Sequence, residues 1–257
     1  MSVPRIQTVT GPIDPASLGP TLMHEHVLCD LSPPAFAGLP DVPITLENCW
    51  EIRHHWSRHP GNHRLFDRDV AVAELAAFRD AGGSAVVDLT TAGIVPDPDG
   101  LRAVSARAGV AVVMGCGTYV EAHAGPALTA KSTDGLAGEM IAALTGGVGE
   151  SSVQAGIIGE IGVSDPCSAA EGRALVAAAL AQGETGASIN VHPGRDPASP
   201  FAVVETIRGA GGDPARLERR RHRPALRGDA AAPADDAPDP LSRPGRRPRN
   251  RQGLPVA

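Results

Sequence analysis

Two imidazoles one residue apart, His24 and His26 in Met23-His24-Glu25-His26-Val27, follow the apolar run Thr21-Leu22-Met23. On an extended strand, side chains at i and i+2 project to the same side, so one short segment can aim both rings at a single ion. Imidazole nitrogen suits zinc, iron, nickel or copper. Taken alone, the pair reads equally well as two surface histidines. Further polar residues at the ends of later apolar runs strengthen the metal reading: Asp88 and Thr90, Tyr119, Glu160 in Gly159-Glu160-Ile161, and His192 in Asn190-Val191-His192-Pro193. Each has an ordinary explanation as a solvated strand-end carboxylate or a hydrogen-bonded loop residue. Their recurrence at equivalent positions on separate strands does not follow from those explanations.

The elements that must position them alternate. Short apolar runs at Thr21 to Leu28, Ser84 to Leu89, Val110 to Gly115, Gly156 to Ile161 and Ser188 to His192 are expected to be strands. Between and after them, stretches rich in Ala, Leu and Glu predict helices over Asp69 to Ala81, Asp99 to Ala108, Leu136 to Leu144, Ala169 to Thr185 and Phe201 to Gly209. Gly82-Gly83, Gly109 and Gly186 fall where those helices should stop. Alternating strand and helix argues for a parallel sheet covered by helices. In a (β/α)8 barrel the C-terminal ends of the strands are where chemistry is assembled, and that is where these polar residues lie.

The remaining histidines are less promising. His54, His55, His59 and His63 sit in a polar insertion around Trp56 and are expected to be a solvated loop; His123 and His222 have no supporting partner in sequence. Cys29, Cys49, Cys116 and Cys167 show no paired spacing and are expected to be free thiols. No apolar run approaches the roughly 18 residues of a membrane span, and the first residues lack a signal-like apolar stretch, so a cytoplasmic location is expected.

Composition changes near Arg216. From Leu217 to Ala257 there are ten Arg, seven Pro, no aromatic residue and five large aliphatic side chains, too little apolar surface to offset the ordering of the backbone. The expected organisation is a globular region at residues 1–216 and a disordered Arg/Pro-rich tail at 217–257, with no strand in the tail. Ten Arg against five acidic residues give the tail a net charge of +5, leaving −11 on the first 216 residues out of −6 overall. Interspersed Asp and Pro and the lack of stacking aromatics argue against nucleic-acid binding.

Several separated motifs carry a family resemblance. Thr8-Val9-Thr10-Gly11-Pro12-Ile13 with Leu18-Gly19-Pro20-Thr21-Leu22-Met23-His24-Glu25-His26, then Gly156-Ile157-Ile158-Gly159-Glu160-Ile161-Gly162, then Val191-His192-Pro193-Gly194-Arg195, resemble the phosphotriesterase family of the amidohydrolase superfamily. Gly-Glu-Ile-Gly and His-Pro-Gly-Arg resemble its phosphotriesterase-related branch. The resemblance implies a (β/α)8 TIM-type barrel, here incomplete, with about five strand–helix units. It makes His24 and His26 ligands of one divalent ion, Glu160 the carboxylate bridging two ions, and His192 a ligand of the second. Zinc is the expected metal, although this donor set also suits manganese, cobalt and nickel. Two such ions share a hydroxide and polarise a carbonyl or phosphoryl oxygen, and Arg195 is a candidate contact for an anionic group of a small-molecule substrate.

After Arg216 the resemblance ends. Family members continue with a sixth strand bearing another metal-binding His and an eighth bearing an Asp, and neither is recognisable in Leu217-Glu218-Arg219-Arg220-Arg221. One permitted codon spelling of this stretch, read one base later, restores a β-branched strand, so the tail is read as the product of a frameshift. The expected function is a metal-dependent hydrolase of ester, lactone, amide or phosphotriester bonds, impaired by the loss of its later strands. The alternative is a non-catalytic metal- or ligand-binding fragment. An open barrel edge is expected to promote self-association or aggregation.

Overall fold

The computed structural model describes residues 5–33, 36, 39, 42–55 and 59–219. Its centre is a parallel sheet of six strands in the order β10-β9-β8-β7-β6-β3. These are β3 (Thr21–Glu25), β6 (Ala85–Asp88), β7 (Ala111–Cys116), β8 (Ile157–Gly162), β9 (Ile189–His192) and β10 (Leu217–Arg219). The order is that of the chain, as expected when each crossover is a right-handed strand–helix–strand unit. Besides the short helices α1 (Cys49–His54), α4 (Glu121–Ala124) and α5 (Pro126–Thr129), the helices α2 (Arg68–Asp80), α3 (Pro98–Ala108), α6 (Thr133–Thr145), α7 (Ala169–Thr185) and α8 (Ser199–Gly209) lie within a few residues of the expected bounds.

Helix ends are set by local chemistry. Asp67 and Asp97 accept hydrogen bonds from the first turns of α2 and α3, and Gly109 and Gly186 adopt the left-handed conformation that ends α3 and α7. At the start of α7, Ser168 and Glu171 form a reciprocal capping box. Glu171 is fully buried and also accepts from the backbone of Glu121 and Ser164, tying the loops after β7 and β8 to the helix start.

Two apolar layers cover the outer face of the sheet. One joins Val86, Val112 and Met114 to Leu75 of α2 and Leu101 and Val104 of α3. The other joins Ile158, Ile161, Ile189 and Val191 to Leu136 and Met140 of α6, Leu175 of α7 and Val203 and Ile207 of α8. A smaller cluster of Val87, Leu89, Val113 and Ile157 fills the inner face. An N-terminal antiparallel hairpin, β1 (Ile6–Thr8) and β2 (Gly11–Ile13), attaches through Val9 N–H to the Val112 carbonyl at 2.9 Å.

Two expectations are corrected. Leu217–Arg219 does form a strand, pairing in parallel with Ile189, Asn190 and Val191, so the sheet has six strands and ordered structure passes the expected boundary at residue 216. The reason is that β9 offers an unpaired edge at the point where α8 and the turn at Pro214–Arg216 return the chain, and backbone pairing needs no apolar run. The expectation of disorder for the rest of the tail, and His222, lie outside the described residues. Second, β3 ends at Glu25, short of the expected Leu28, and Cys29–Asp30 (β4) pairs antiparallel with Arg64–Leu65 (β5). Among the described residues β3 has a neighbour on one side only, leaving Leu22 and Met23 each 43% exposed.

Candidate metal centre

Three imidazoles meet one carboxylate. Glu160 is the fourth residue of β8, a strand paired on both sides, and only 1% of it is exposed. His24 Nε2 lies 3.0 Å from Glu160 Oε1, and His26 Nε2 lies 3.4 Å from Oε2. His192 Nδ1, reaching over from the end of β9, contacts the same Oε1 as His24. Donor atoms of His24, His26 and Glu160 all lie within 4.8 Å of one another.

The strand spacing is not what aligns His24 with His26. His26 is one residue beyond β3, and the register against β6 shifts between Leu22 and Glu25. A hydrogen bond between His26 Nδ1 and Thr90 Oγ1, 3.2 Å, fixes the ring instead. With Nδ1–H donating to the hydroxyl, Nε2 is the nitrogen aimed at Glu160: it donates to the carboxylate when protonated, and on losing that proton it offers the lone pair that a metal requires. Thr90 is itself placed by Asp88, whose carboxylate accepts from Thr90 N–H at 3.0 Å and from Val27 N–H at 2.6 Å. The backbone of Glu160 is held from the same loop, because Thr91 Oγ1 donates to its carbonyl at 3.1 Å.

The electrostatics follow from burial set against these contacts. Burial alone would push the Glu160 carboxyl up, but bonds from His192, His24 and His26 outweigh it and hold the group well below the usual carboxylate range. Burial pulls His26 down, yet its bond to Glu160 and the charges of Glu160, Asp88 and Glu25 leave it raised. Asp88, entirely enclosed, is raised by burial against its two backbone bonds. Among the described residues no Lys or Arg pairs with Glu160. One carboxylate and three imidazoles around a single volume, with no fixed cation, form a donor set that fits divalent ions.

Further rings flank the site. Tyr119 packs edge-on to His192 at 5.5 Å between ring centroids and lies 5.6 Å from His123. Burial and neighbouring His63 lower the His123 pKa, favouring the neutral ring. His123 thus has the neighbours that its sequence context did not reveal. His63 is also a correction: it is buried, not solvated, and packs edge-on against Phe36 at 5.4 Å. His54 and His55 are exposed as expected, and the ring nitrogen Nδ1 of His59 accepts from Gly61 N–H. Arg195, three residues beyond His192, is exposed and makes no hydrogen bond or ion pair among the described residues.

Comparison with known proteins follows the same lines. Residues 4–218 match the model of the phosphotriesterase family. An N-acetyltaurine hydrolase of Rattus norvegicus is 35% identical over 216 residues, covering 81% of this chain and 62% of that protein. Among solved structures, a resiniferatoxin-binding protein from Rhodobacter sphaeroides is 36% identical with a TM-score of 0.76, covering 84% of this chain and 62% of the other. A phosphotriesterase homology protein from Escherichia coli, complexed with phosphate in its active site, is 25% identical with a TM-score of 0.65, covering 79% and 62%. The chain therefore spans about 62% of the length of these relatives.

Proposed function

Since this chain belongs to the phosphotriesterase family, we propose that it is a metal-dependent hydrolase whose centre is built on Glu160. The observation that carries this reading is the Glu160 carboxylate with His24 and His192 at one oxygen and His26 at the other. In this reading His24 and His26 would hold one ion, His192 would hold a second, and Glu160 would serve both. Bound divalent ions would supply Lewis acidity toward a carbonyl or phosphoryl oxygen and a water made acidic enough to attack it.

The chain's own residues do the rest. Thr90 orients His26, Thr91 fixes the backbone of Glu160, and Tyr119 packs against His192 to limit its swing. Similarity to N-acetyltaurine hydrolases supports an amide of a small amino acid-like amine as the substrate. Arg195, exposed three residues beyond His192 and without a hydrogen bond or ion pair among the described residues, suits the anionic end of such a molecule. The described residues give one ion three donors and the other two, so binding is expected to be weak and turnover slow. A second reading, ligand binding without turnover, is favoured by that short donor count.

The test is metal analysis of the purified chain, joined to hydrolysis assays over N-acyl amines, lactones, esters and phosphotriesters. Chelator-sensitive turnover that disappears in His26→Ala and persists in His55→Ala supports the hydrolase. Stoichiometric metal without turnover of any class supports the second reading, and turnover indifferent to chelator and to His26→Ala overturns both.

A further inference from the structure

Behind the metal centre, on the outer side of the sheet, lies a cavity of about 400 Å³ between the ends of β6 and β7, α6 and the loop at 147–149. Its walls are largely apolar, with Met114, Leu136, Met140 and Val148 among them; its polar residues are Thr90, Thr91, Thr118 and Glu139, the last ion-paired to Lys131. Thr90 and Thr91 already have partners, His26 and the Glu160 carbonyl. Thr118 does not: it is 3% exposed and its Oγ1 is buried with no hydrogen-bond partner among the described residues. A buried hydroxyl without a partner is destabilising, so a cavity lined by one favours a guest that brings a matching polar atom.

We propose that this cavity is a second small-molecule site, taking a compact apolar molecule that carries one hydroxyl or carbonyl, with Thr118 as its polar contact. The apolar walls supply affinity by removing hydrocarbon from water. Thr118 supplies selectivity, because a site with an unmet hydrogen bond discriminates against guests that cannot make it. The cavity shares Thr90 and Thr91 with the centre, so a guest rests against the residues that hold His26 and Glu160 from behind. Nothing in this site depends on hydrolysis.

Benzyl alcohol and toluene are suitable probes, since they share an aromatic body and differ by one hydroxymethyl group. Titration of the full chain, followed by two-dimensional NMR with chelator present, should show saturable binding with benzyl alcohol about tenfold tighter than toluene. Thr118→Val, nearly equal in shape, should erase that preference and keep toluene binding. Ala143→Leu, which adds bulk to the cavity wall, should remove binding of both; if that variant fails to fold, Val148→Met serves instead. Binding of benzyl alcohol that vanishes with chelator would mean the alcohol sits on a metal, and would overturn the proposal. So would an unchanged preference in Thr118→Val, or the absence of saturable binding in the parent chain.

Discussion

Thr90 Oγ1 and His26 Nδ1 lie 3.2 Å apart, and this bond sets the direction of the ring. Replacing Thr90 by Val keeps the shape and removes the oxygen, freeing the imidazole to rotate and to change tautomer. Loss of such a supporting partner typically weakens metal affinity about 10–100-fold. Competition titration of zinc or cobalt against a chromophoric chelator should show a loss of that size in Thr90→Val, with little change in the urea midpoint. Unchanged affinity would remove Thr90 from the account.

The metal-free chain should be most stable in mildly acidic solution. Glu160 has a folded pKa below its unfolded value, so the unfolded state takes up its proton first and stability falls as pH drops below the ordinary glutamate range. His26 is raised, so its contribution is complete below about 6.5 and fades as pH rises through the raised value. Asp88, also raised, adds to the loss on the alkaline side of the ordinary aspartate range. Urea unfolding between pH 3 and 9 with chelator should trace this maximum, and Glu160→Gln should flatten the acid side. An unaltered profile in that variant would show that the imidazole–carboxylate cluster contributes nothing to folding.

Asn190 offers a stabilising substitution. Ile189 and Val191 pack against α7 and α8, so alternation turns Asn190 to the inner face, where it is fully buried and both side-chain amide atoms lack partners among the described residues. An unmet buried amide costs about 1–3 kcal/mol, and Leu has the same side-chain heavy-atom count and branching without the polar atoms. Asn190→Leu should therefore raise the free energy of unfolding by about 1–2 kcal/mol in chemical denaturation. A destabilised variant would reveal a polar partner for Asn190 in solution.

The edge at β3 should promote association. Leu22 and Met23 are half-exposed on opposite faces of a strand that has one neighbour among the described residues, and Leu65 and Phe66 are exposed as well. Sedimentation velocity should show concentration-dependent self-association, reduced in Leu22→Lys because a charge on an open edge opposes pairing. If both chains sediment as the same monomer at all concentrations, this edge is not an adhesive surface.

Much of this fold is legible in sequence because buried parallel strands are continuous apolar runs, and Ala85-Val86-Val87, Val112-Val113-Met114 and Ile157-Ile158 stand out between glycine-terminated helices. Leu217-Glu218-Arg219 has no such run; its strand depends on the free edge of β9, which no local pattern encodes. The same contrast holds at the site. His24, His26, Glu160 and His192 each end an apolar run and can be found there. The bond from Thr90 to His26 and the placing of His123 near His63 join residues distant in sequence and appear only when the chain is folded.

The N-terminal hairpin gives the molecule a particular assembly order. Val9 bonds to the carbonyl of Val112, and a Cβ placed on Gly156 would lie 2.4 Å from the Gln7 carbonyl oxygen. During synthesis at about 5–20 residues per second, the hairpin must wait several seconds for the strands that receive it, which lie about 100 and 150 residues further along the chain. The hairpin is thus made well before it can dock, and its docking waits on strands from the middle of the chain.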